Sequence, residues 1–336
     1  MIKALILTSP IFLFLFPKIN NFKFFGFTFF LIFNYFLCFG TDLAGWDMYV
    51  YEKWQKHVCI NPNFVLDEPL LGFLYRFFCF AGLSDGSVRI IIFLIGILQF
   101  IYIALLFKES HIALLIFLGL GNFYLANFNA LSFNICLTIF LMVIFHRSVF
   151  ARIFLIPMLI LSHSVGIFLL FTLILSTFSR RFNLFVAVFS GLSAYLIIPL
   201  IFEERLANFF GGDISPINLF ILGFLIFLTM VIKVEVDKNN LDLQDNQINN
   251  WTQTYLLIVT AIYLGTGIDI AIFLRILNPA FFGMIYLLIC IINHRIEPKN
   301  IALPFVVIIL IINLYTSVSA DFNGWTLSDY RIFKTI

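Results

Sequence analysis

Two runs of this chain, Phe24 to Phe39 and Ile90 to Phe107, contain no acidic or basic side chain. Each approaches the roughly 20 apolar residues that a helix needs to cross a bilayer core. Similar runs recur up to Thr316. A helix apolar on all sides has no face to offer water, so a chain made of such runs must bury them in one another or in lipid. Of the 336 residues 62% are hydrophobic and 11% charged, against about 45–50% and about 25% in soluble proteins. The expected class is therefore all-α, a polytopic integral membrane helical bundle of about 11–12 transmembrane segments with one large outer loop. It forms a single membrane domain over residues 1–336, with the outer loop at about 40–87 and a polar cytoplasmic linker at about 235–250.

Basic residues orient the spans. Lys18 and Lys23 place the link after a short first span inside, so the second span delivers 40–87 to the outer face and 88–107 returns. Spans at about 112–127 and 131–146 form a hairpin whose outer tip holds Asn127, Asn129 and Asn134. The run from Ile153 to Phe178 is flanked by Arg147 and Arg152 on one side and Arg180 and Arg181 on the other. Two short helices meeting near Leu161 to Ser164 keep both clusters inside. Further spans are expected at about 183–202, from Pro216, and at about 251–267, 271–292 and 301–318. The segment Lys233 to Asn250, rich in Asn, Asp and Gln, reads as a mobile loop without an apolar face.

A net charge of +2 gives no electrostatic case for nucleic acid. The five cysteines lack metal-ligand spacing, and neither a metal nor a cofactor is expected. Cys59 and Cys79 fall in or beside the outer loop. They are read as free thiols, with a disulfide as the alternative if that face is oxidising.

Chemistry concentrates in the outer loop, where Asp42, Asp47 and Glu68 can meet if the chain folds back at Asn61-Pro62-Asn63. Paired acids suit general base work, and Trp46, Tyr49 and Tyr51 can stack on sugars. The plainer reading is a solvated loop with an interfacial aromatic belt. Arg275 lies within an apolar run, where an ionisable residue marks a functional site by default; a guanidinium there can grip two phosphate oxygens. It can equally snorkel or pair with Asp269. Arg76, Arg89 and Arg205 are outer-face candidates for the same work. His163, set between two serines, suits proton transfer or helix packing. Asn129 and its neighbours can bind hydroxyl groups or cap helices.

The order of these pieces resembles the EpsG/Wzy-type polysaccharide polymerases of bacterial envelopes. GTD at 40–42 follows a span; then come DEPLLGFL at 67–74, NALSFN at 129–134, His163-Ser164, FLRIL at 273–277 and the tail GWTLSDYRIF. The family pattern has an arginine before GTD, where this chain has Leu37-Cys38-Phe39. It has an Arg-Gln pair after the Asn-rich tip, where this chain has Ser132-Phe133. The resemblance implies a metal-independent glycosyltransferase at the outer face of the bacterial inner membrane. It would join polyprenyl-diphosphate-linked oligosaccharides into an O-antigen, capsule or exopolysaccharide, with a chain-length regulator and a flippase as partners. Asp42, Asp47, Glu68 or His163 would deprotonate the acceptor. Arg275, Arg205 or Arg76 would hold the diphosphate. A multi-span transferase using a polyprenyl-phosphate sugar and a lipid-linked oligosaccharide flippase are the alternatives.

Overall fold

A computed structural model describes residues 46–61, 63–83, 86–106, 131–145, 148–201, 216–238 and 243–267, with isolated positions at 31–32, 35, 38, 277, 279–280 and 283. The described residues form an all-α structure: α1 Trp46–Ile60, α2 Pro69–Phe80, α3 Ser87–Leu106, α4 Leu131–Phe145, α5 Val149–Ser162, α6 Val165–Leu175, α7 Arg180–Ile201, α8 Pro216–Lys238 and α9 Leu243–Thr266. The spans expected near 112–127 and 301–318 lie outside the described residues, as do the first two and the one near 271–292 except for isolated positions. Over its described residues no helix is long and apolar enough to cross a membrane.

The chain divides into two compact units, Met1–Phe168 with Asn313–Ile336, and Leu169–Ile312. In the first unit α4 is the centre. From Leu131 to Leu141 every side chain is buried, so this helix has no outward face. It packs on α3 and α5, while α2 packs on α5 and α1. Polar atoms inside the bundle bond to one another, because an unpaired one costs about 1–3 kcal/mol. Gln99 Nε2 on α3 donates to Asn134 Oδ1 at 2.8 Å and to Thr138 Oγ1 at 2.6 Å on α4.

The break expected inside 153–178 is present. Helix α5 ends at Ser162, whose hydroxyl donates to Leu159 O, and His163 adopts an extended conformation with φ −166° and ψ 148°. Helix α6 then starts at Val165. Gly166 backs directly onto the Leu159 carbonyl, so a β-carbon there would clash with backbone.

In the second unit α9 packs along α7 and α8. Ala261 of α9 meets Gly191 of α7, and Gly265 also abuts the Gly191 carbonyl; a β-carbon at Gly191 would lie 2.7 Å from Ala261 O. Small residues let these two backbones approach closely. Helix α7 buries Asn183, Ala187 and Gly191, spaced by one turn, and exposes Phe182, Phe185, Phe189, Leu192 and Leu196. That is the reverse of the pattern for a helix on a water-facing surface.

The linker expected at about 235–250 is not a loop throughout. Helix α8 runs to Lys238 and α9 begins at Leu243, with Ile248 and Asn249 each only 1% exposed. Its polar composition hid the reason. Ile248 and Trp251 are three residues apart and so share one face, and that face is buried.

Candidate functional site

The stretch expected as the outer loop is built, over its described residues, on α1 and α2 joined by a turn. Asn61 Oδ1 accepts from the Asn63 N–H at 3.1 Å, the fold-back expected at that position. Cys59 and Cys79 form a disulfide with Cα atoms 5.5 Å apart, which corrects the reading of two free thiols. Both cysteines sit near the C-terminal ends of their helices, so residues 61–68 must run back beside α2. Arg76 holds that return strand, its Nη2 donating to Phe64 O at 2.9 Å. Pro69 opens α2 at a position where its missing N–H costs nothing. Glu68 is thereby fixed at the head of α2.

From there Glu68 reaches the central helix. Ser132 Oγ, in the first turn of α4, donates to Glu68 Oε1 at 2.7 Å. A carboxylate at this end of a helix is favoured by the helix dipole. The next residue, Phe133, meets the His163 ring edge to face, with centroids 6.0 Å apart. His163 Nδ1 accepts the Val165 N–H at 3.2 Å, so in the neutral ring the proton resides on Nε2. His163 is then a donor at Nε2 rather than a base. The first turn of α4 thus touches a carboxylate from α2 through Ser132 and an imidazole from the α5–α6 joint through Phe133. Ser132 and Phe133 are the positions where the chain carries no Arg-Gln pair.

Of the other expected site residues, Asp42, Asn129, Arg205 and Arg275 lie outside the described residues. Trp46, Asp47 and Tyr49 fall on α1, with side chains that are not described. Tyr51 is buried and packs edge to face on Trp54 at 5.6 Å between ring centroids. Arg76 is committed to the Phe64 carbonyl, which gives it a structural duty beside the phosphate role expected of it.

Three contributors were not anticipated as site residues. Ser132 appeared only as a departure from the family pattern. Tyr75 and Gln55 fall within the stretch expected to be a loop. Tyr75 is 0% exposed, and among the described residues its hydroxyl has no hydrogen-bond partner. Burial, followed by the neighbouring Tyr51, Glu68 and Glu52, pushes its ionisation well above the usual phenol range, so it stays a donor. The spacing of Glu68, Leu71, Tyr75 and Phe78 along one helical face was the available signal. Among the described residues no group of three or more His, Cys, Asp or Glu could hold a metal ion. No protein-family model, curated protein or solved structure matches the chain.

Proposed function

We propose that this chain is a polytopic glycosyltransferase of the bacterial inner membrane that joins polyprenyl-diphosphate-linked oligosaccharide units into a surface polysaccharide at the outer face. The observation that carries this reading is the convergence on the first turn of α4. DEPLLGFL supplies Glu68, NALSFN supplies Ser132 and Phe133, and the His-Ser pair supplies His163. Glu68 and Ser132 are 64 residues apart in sequence and in hydrogen-bond contact. Pieces that match a family only loosely one by one gain weight when the fold gathers them.

Two further features support the setting. The outward apolar face of α7, with buried Asn183, Ala187 and Gly191, suits lipid rather than water. The Cys59–Cys79 disulfide suits an oxidising outer face for α1 and α2.

In this mechanism Glu68, oriented by Ser132, takes the proton of an acceptor sugar hydroxyl. The oxygen attacks the anomeric carbon of the donor unit, and the bond to the diphosphate breaks with its electrons leaving on phosphate oxygen. His163 Nε2–H donates to that oxygen as its charge grows. The test is gel analysis of surface glycans from a strain lacking the gene. Single-repeat chains, restored to a ladder by the wild-type gene, support the polymerase; loss of all surface glycan with lipid-linked units accumulating inside supports a flippase instead.

A further inference from the structure

Gln55 and Tyr75 are each four residues before a cysteine of the Cys59–Cys79 disulfide, and so lie one helical turn from it on the two joined faces. Both are buried, at 3% and 0% exposure, and among the described residues neither the Gln55 Nε2 amide nor the Tyr75 hydroxyl has a partner. Two orphaned donors on facing turns are unusual, since buried polar atoms are nearly always paired. One turn further toward the head of α2, Leu71 separates Tyr75 from Glu68 on the same face. A long helical side chain leans toward the N-terminus of its helix, the end that holds Glu68, and the Glu68 charge acts on the Tyr75 phenol after burial and Tyr51. Two unpaired donors on the helix pair that carries Glu68 at its head match the needs of a carbohydrate ring, whose hydroxyl oxygens accept and whose reacting hydroxyl gives up a proton.

We infer that Gln55 and Tyr75 form a hydroxyl-binding subsite that holds the acceptor sugar against Glu68. This rests on the glycosyltransferase reading above. Both donors are covered in this structure, and residues 63–68 run along the same helix as Tyr75. Leu66 packs on Gly72, and Arg76 bonds to Phe64 O.

The test complements the deletion strain with Tyr75→Phe, Gln55→Met and, as a control on the whole site, Glu68→Gln, and also follows thermal melting of each purified full-length protein. Because Tyr75→Phe removes only an unpaired buried hydroxyl and Gln55→Met removes the unpaired Nε2 while keeping side-chain length, the melting temperature is expected to hold or rise for Tyr75→Phe and to change little for Gln55→Met. Polymer output is expected to fall roughly tenfold for each, the worth of one lost hydrogen bond to substrate. A full ladder from Tyr75→Phe and Gln55→Met while Glu68→Gln makes none overturns the subsite and leaves the site reading intact. Full ladders from all three overturn both. A lowered melting temperature that accounts for the lost polymer assigns the two residues to packing and overturns the subsite.

Discussion

Around α9 the hydrogen bonds between elements are made by amides, hydroxyls and an indole: Trp251 Nε1 donates to Thr172 Oγ1 at 3.1 Å, Asn183 Nδ2 to Thr254 Oγ1 at 3.1 Å, and Gln253 Nε2 to the Thr229 carbonyl at 3.0 Å. At the first turn of α4 the groups are ionisable: the Glu68 carboxylate accepts from Ser132, and the His163 imidazole packs on Phe133. The two regions use similar helices for different ends. None of the α9 groups changes charge near neutral pH, so they can fix the register of helices but cannot move a proton. The α4 groups can accept and donate protons, and Gln55 and Tyr75 hold donors in reserve. Polar burial alone does not mark a site. Ionisable groups on separate elements, gathered at one helix end, do.

The sharpest way to break this comparison is Glu68→Gln, which preserves shape and removes the base. It is expected to lower polymer formation about a hundred- to ten-thousandfold, with protein abundance unchanged on an immunoblot. Next in size, Cys59→Ser opens a 20-residue separation closed by the disulfide and should cost about 3 kcal/mol of stability. Thermal melting with and without reductant checks it, because the variant should match the reduced wild type. Gly191→Ala forces a β-carbon toward the Ala261 carbonyl and should cost about 1–3 kcal/mol, read as reduced yield of folded protein. Any folded Gly191→Ala protein should keep its rate per molecule, since α7 and α9 carry no buried carboxylate or imidazole among their described residues. The smallest effect belongs to Gln253→Met, which gives up the bond to Thr229 O and should cost about 0.6 kcal/mol in the same melting assay.

Much of the helical plan was legible in the sequence because apolar runs and proline signals are local. Pro216 opens α8, and the break at His163 follows from the basic clusters at both ends of its run. The N-terminal part of α9 was not legible. Asn, Gln and Asp read as loop, yet Ile248 and Trp251 recruit that segment into a helix through tertiary burial. The disulfide was missed for a related reason, since it depends on how residues 61–68 run back along α2. Glu68 and His163 stood out as charges in unusual places. Tyr75 and Gln55 did not, because being left without a partner is a property of the packed fold and leaves no trace in spacing.

The most direct measurement reconstitutes the purified full-length chain in lipid vesicles together with lipid-linked repeat units extracted from the deletion strain. Product length and released polyprenyl diphosphate are then followed for wild type and for Glu68→Gln. Wild type is expected to yield products of two and more units, with one polyprenyl diphosphate released per bond formed, and Glu68→Gln neither. Lipid-linked units recovered unchanged from the wild-type vesicles, or a Glu68→Gln protein that polymerises at the wild-type rate, would contradict the assignment of catalysis to the first turn of α4.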